Sequence, residues 1–111
     1  MTKPADSDLL GHILDAWDAI SERMAGTSPE SFERDSVLVD SVIRQIEIIG
    51  EATRILSEKT RHDHQDVPWT QIQGMRNRLI HGYWSVDSTA VYNTAVRDIP
   101  QLAAAIRSWV R

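Results

Sequence analysis

The sequence predicts an all-α fold, a four- or five-helix up-and-down bundle with short loops. Three observations predict it. Every long segment repeats its apolar residues at steps of three and four, no segment alternates as a strand would, and cap signals punctuate the chain at short intervals. With 111 residues, the chain is expected to be a single domain, 1–111, large enough for one core but not for two. It has no cysteine, which excludes disulfides, thiolate metal sites and cysteine nucleophiles. No apolar run is long enough to span a bilayer, and the opening MTKPADSD lacks the apolar core of a secretory leader. A cytoplasmic location without membrane association is therefore expected.

The first helix is read from Leu10, Ile13, Leu14, Trp17, Ile20 and Met24. Asp6 or Ser7 is expected to cap its start, and Gly26 to supply the left-handed residue that ends it. Ser28 followed by Pro29 reads as an N-cap with proline at the first helical position, opening a short turn through Phe32. A long helix then starts near Asp35 and runs to about Lys59 through Leu38, Val42, Ile46, Ile49, Ala52, Ile55 and Leu56. Its wide apolar stripe marks it as the most buried of the bundle. Gly50 in its interior costs about 1 kcal/mol relative to alanine, a cost that close approach of another helix backbone would justify.

TRHDHQD breaks the pattern and reads as an exposed loop, with His62, Asp63 and His64 too weak a cluster to assign a metal. Pro68 opens the next helix, with Trp69, Ile72, Met75, Leu79 and Ile80 facing inward and a stop at His81 before Gly82. Asp87 and Ser88 begin the last helical region, through Val91, Ala95, Val96 and Ile99. Pro100 should break or kink it before Leu102, Ala105, Ile106, Trp109 and Val110 continue. Leu38, Val42, Ile46, Ile49, Ile72, Met75 and Leu79 are the expected core.

Charge is unevenly spread. Residues 1–51 hold 4 Lys/Arg and 11 Asp/Glu, a net −7, whereas residues 52–111 hold 8 and 5, a net +3. An overall −4 argues against a general nucleic-acid binder, yet the basic character collects in the half that carries the most chemical motif. That motif is Arg76 to Tyr83, RNRLIHGY. Arginine offers a fork of donors matched to phosphate, and histidine moves protons near neutral pH. Tyr83 adds a phenolic hydroxyl two residues past His81. Asn77, four residues before His81, shares a helix face with it and is placed to orient the imidazole, while Arg78 adds positive charge. Glu51 is a candidate partner for Arg76 or Arg78.

Residues on a helix advance about 100° each, so Arg76 and His81 lie roughly 140° apart around the axis. Three arrangements bring them to one phosphate: a distorted helix end, the long reach of arginine, or a two-fold partner.

With WTQIQGM before it, WSVD after it and IEIIGEA upstream, this stretch resembles the HepT-like branch of the HEPN proteins, and the likeness extends over nearly the whole chain. The resemblance implies an HEPN-like bundle that forms a homodimer with a composite cleft. It implies a metal-independent endoribonuclease, with RNA and not DNA as substrate, acting as the toxin of a type II-like toxin–antitoxin pair. No cofactor is called for. Arg76 and His81 would be catalytic, with Asn77, Arg78 and Glu51 supporting. A paired minimal nucleotidyltransferase antitoxin would silence the toxin by attaching AMP to Tyr83. A different class stays open beside it: a non-catalytic helical partner, or nucleotide-binding regulator, of a nucleotidyltransferase.

Overall fold

The computed structural model describes residues 4–109, so Val110 lies outside the described residues. Among these, every regular element is helical: α1 (Asp6–Met24), α2 (Pro29–Arg34), α3 (Ser36–Ile55), α4 (Glu58–Asp63), α5 (Trp69–His81), a 3₁₀ turn (Tyr83–Ser85), α6 (Ser88–Asn93), a π-helical stretch (Thr94–Asp98) and α7 (Ile99–Trp109). The predicted all-α bundle is present. Its four long members are α1, α3, α5 and the combined run from α6 to α7.

The apolar stripes explain the assembly. Ile13 and Ile20 of α1, Val42, Ile46 and Ile49 of α3, Ile72 of α5, and Ile99, Leu102 and Ile106 of α7 are fully buried together. Each such side chain contributes about 1.5–3 kcal/mol when taken from water. α3 is the central helix, packed on both α1 and α5. It runs antiparallel to α1, because Arg23 near the end of α1 donates to Ser41 Oγ at 2.7 Å while Asp6 at its start meets Ser57 beyond the end of α3.

Several expectations are corrected. Leu38 is only half-buried and Ile80 is exposed, because both sit at the edge of their helix's stripe. Neither Asp6 nor Ser7 caps α1; Ala5 holds that position. The Asp6 carboxylate instead accepts from Ser57 N, Ser57 Oγ and Thr60 Oγ1 at 3.1, 2.7 and 2.7 Å. That capture explains why α3 stops at Ile55 and not near Lys59: the Ser57 N–H is withdrawn from the helical ladder. Ser57 then caps α4, a helix where a loop was expected, and Arg61 donates to the carbonyls of Thr53 and Arg54 left free at the end of α3. His64 stacks on Trp109 with ring centroids 3.7 Å apart.

Gly26 takes the left-handed conformation at φ 73°, as expected. Gly82 ends α5 with φ −143°, so its stop does not depend on left-handed backbone. Pro100 neither breaks nor ends its helix. The turn before it widens to π geometry over Thr94–Asp98, which absorbs the missing N–H and the ring's bulk.

Candidate active site

Arg76 is the centre of the site, and its position is fixed from α3. Gly50 lies directly beneath it: a Cβ added there would overlap Cβ and Cγ of Arg76. The predicted close approach is therefore real, but what approaches is the stem of the Arg76 side chain and not bare backbone. From that seat the guanidinium reaches the next residue of α3, with Nη2 donating to Glu51 Oε2 at 2.8 Å. Nη1 donates to Asn77 Oδ1 at 3.0 Å. The side chain is only 17% exposed. Its Nε is buried and has no hydrogen-bond partner among the described residues. Two of the five guanidinium N–H groups are thus committed to orienting the fork, and the terminal nitrogens each keep one more for a ligand.

Glu51 is shared. It also accepts from Arg54, one turn further along α3, at 2.7 and 3.3 Å. The hydrogen bond from Arg54 foremost, then the charges of Arg54 and Arg76, hold the Glu51 carboxyl below the usual carboxylate range against the opposing effect of burial. The anionic form that orients Arg76 is accordingly the resting form. Two strings singled out separately in the sequence, IEIIGEA and RNRLIHGY, are brought into contact here.

His81 is exposed, at the last position of α5, and it makes no hydrogen bond with Asn77 among the described residues. The expected orienting role of Asn77 toward the imidazole is not the one its contacts display; its carbonyl turns to Arg76. Since α5 is regular α-helix from Trp69 to His81, a distorted helix end does not bring Arg76 and His81 together. Arg78 is exposed and donates from Nη2 to the carbonyl of Ser85 at 3.2 Å, which ties the helix end to the 3₁₀ turn. On that turn Tyr83 is 73% exposed, its ring edge-to-face with Trp84. Its hydroxyl has no hydrogen bond among the described residues.

Beside Glu51 opens a cleft of about 420 Å³ among α1, α3 and the end of α5, lined by Leu9, Ile48, Ile55 and Ile80 with His12, Arg44 and Glu47. Sequence reasoning did not anticipate it, because its walls come from three separate helices. Among the described residues no three His, Cys, Asp or Glu side chains converge as a metal site would require. His62 contacts Gln65 and Asp63 pairs with Lys59. No described helix is long and apolar enough to cross a membrane.

The family described as ribonuclease HepT-like matches residues 13–109. A protein of Caldanaerobacter subterraneus subsp. tengcongensis bearing a provisional RNase name is 40% identical over 98 residues, covering 88% of this chain and 88% of the relative. A Thermococcus cleftensis protein named Probable ribonuclease HepT is 35% identical over 100 residues, 90% of this chain and 91% of the relative. A third relative, from Methanocaldococcus jannaschii and also provisionally named an RNase, is 30% identical over 102 residues, 92% of this chain and 94% of the relative. No solved structure matches the chain.

Proposed function

The chain belongs to the ribonuclease HepT-like family, and from that premise we propose that it is a ribonuclease toxin whose catalytic residues are Arg76 and His81. The observation that carries the reading is the anchoring of Arg76: seated on Gly50, oriented by Glu51 and Asn77, and still holding unused donors. A phosphate-binding fork gains most when its geometry is set before the substrate arrives. The ribose 2′-hydroxyl attacks the adjacent phosphorus, the bond to the 5′-oxygen of the next nucleotide breaks, and a cyclic phosphate end remains. His81, exposed and free to approach the backbone, moves the proton as general base or acid. Arg76 stabilises the charge that develops on the phosphoryl oxygens, with Arg78 adding to the local potential. The active unit is a homodimer in which two copies complete each site, and no metal takes part.

Control falls to Tyr83. Its exposed, unpartnered hydroxyl suits it as the acceptor of AMP from a nucleotidyltransferase antitoxin. The added phosphate would set like charge against the incoming RNA beside Arg78. Tyr83→Phe keeps the ring and loses the acceptor, so mass spectrometry after incubation with ATP and the transferase should show AMP on the wild type only. An equal mass gain on the Phe variant would place the acceptor elsewhere.

The central experiment is RNA cleavage by purified, unmodified protein in EDTA, with His81→Ala and Arg76→Ala beside the wild type. Losing a general acid or base costs about 10²–10⁴-fold, and losing a preorganised donor about 10²–10³-fold. The double variant should be little worse than either single one, because residues acting as a unit are not additive. Exposed His81→Ala should leave thermal stability nearly unchanged. Wild-type rates in His81→Ala, or complete loss of wild-type cleavage in EDTA, would remove this mechanism.

A further inference from the structure

Three residues past His81, the largest apolar side chain of the 3₁₀ turn stands clear of the fold. We infer that Trp84 is the residue on which a base of single-stranded RNA stacks, positioning the nucleotide beside the cleaved phosphodiester; this rests on the ribonuclease reading above. Trp84 is 76% exposed, although tryptophan is among the residues that gain most from burial.

The exposure does not come from a loose loop. Ser85 N donates to the Gly82 carbonyl at 2.9 Å, Ser85 Oγ donates to the same carbonyl at 2.7 Å, and Arg78 Nη2 donates to the Ser85 carbonyl at 3.2 Å. The indole also packs edge-to-face with Tyr83, ring centroids 5.5 Å apart. A braced turn thus presents an aromatic surface to solvent. The same brace places the Arg78 guanidinium against that turn.

The surroundings select the occupant. From Val67 to Val86 the sequence has no Asp or Glu, while Arg76 and Arg78 both fall within it. An exposed aromatic ring and an arginine held to one turn are groups that take a base and a phosphate respectively, and stacking accepts any base because every base has a π-face. A partner protein is the other class of occupant for an exposed indole; Arg78, which has no carboxylate partner among the described residues and is tied to the same turn, favours the polyanion.

The test titrates a labelled 2′-O-methyl oligouridylate, which lacks the attacking hydroxyl and is bound without being cut, into wild type, Trp84→Phe and Trp84→Leu. Trp84→Leu should weaken binding roughly 5- to 150-fold, the factor that stacking of one base supplies. Trp84→Phe should retain most of the affinity, and an abasic oligomer of equal length should bind all three alike at the weaker level. On cleavable RNA, Trp84→Leu should raise KM more than it lowers kcat. Its melting temperature and sedimentation should match the wild type, since the side chain packs against no core.

Unchanged affinity in Trp84→Leu overturns the inference, as does an abasic oligomer that still discriminates the variants. Loss of self-association in Trp84→Leu also overturns it and makes the residue a protein contact. If the wild type cleaves RNA and Trp84→Leu binds and cleaves identically, stacking falls while the ribonuclease stands. If the wild type binds through Trp84 but never cleaves, stacking stands and the ribonuclease falls.

Discussion

The Glu51 carboxylate divides itself between Arg54 on its own helix and Arg76 on α5, and the two bonds do different work. The Arg54 contact is an exposed pair one turn away that does most to lower the Glu51 pKa, yet solvent screening limits what it adds to stability. The Arg76 contact reaches a largely buried guanidinium and fixes where its remaining donors point. Replacing Glu51 with Gln should keep an acceptor but remove the charge. Because folding holds the Glu51 carboxyl below its unfolded value of about 4.5, its ionisation stabilises the fold fully above that pH. That contribution is lost as pH falls through the lower folded value. Thermal melts across pH should therefore show wild type more stable than Glu51→Gln by about 0.5–1 kcal/mol near neutrality, a small margin because solvent screens this part-exposed carboxylate. The gap should close toward pH 3. A gap equally large at pH 3 and pH 7 would mean that the charge plays no part.

At the scale of elements, the site exists because α3 and α5 touch at a glycine. Gly50→Ala gains helix propensity of up to about 1 kcal/mol, but its methyl must displace the stem of Arg76. Overpacking of that kind costs about 1–3 kcal/mol, so a net loss is expected, with cleavage falling further than stability because the fork is moved off its aim. Calorimetry and cleavage assays on the same variant check this; a stabilised, fully active Gly50→Ala would contradict the packing. Gly50 also illustrates what was legible in the sequence. A glycine inside a wide apolar stripe announces a close contact, and three/four periodicity located Val42, Ile46, Ile49, Ile72, Met75 and Leu79 correctly in the core. The illegible parts depend on contacts between distant residues. The end of α3 is set by Asp6, 51 residues from Ser57, and no local propensity encodes it. Helical spacing pairs Asn77 with His81, yet the long arginine beside it supplies the donor that its side-chain carbonyl takes. Proline removes an α-helical bond, which predicts a break or a kink at Pro100; the helix does not break, and the π-helical stretch before it takes up the distortion.

For the whole molecule, the question is whether one copy holds a complete site. Arg76 is drawn toward α3 by Gly50 and Glu51, while His81 projects from the end of an undistorted helix roughly 140° around the axis. On the proposed reading each copy offers half of a phosphate site, and a two-fold axis is the simplest operation that would unite the halves. Mixed dimers test this directly. An Arg76→Ala protomer still carries His81, and a His81→Ala protomer still carries Arg76; each variant alone is expected to cleave at least about 10²-fold more slowly than the wild type. If the site joins Arg76 of one copy to His81 of the other, a heterodimer has one site lacking both residues and one site intact. Unfolding and refolding an equimolar mixture should place about half the molecules in heterodimers, restoring roughly a quarter of wild-type cleavage. Light scattering on the refolded mixture should give the mass of two protomers, as the same reading expects of the wild type. A site contained within one copy predicts no recovery at any mixing ratio. Absence of cleavage in a mixture shown to contain heterodimers would therefore return both residues to a single protomer.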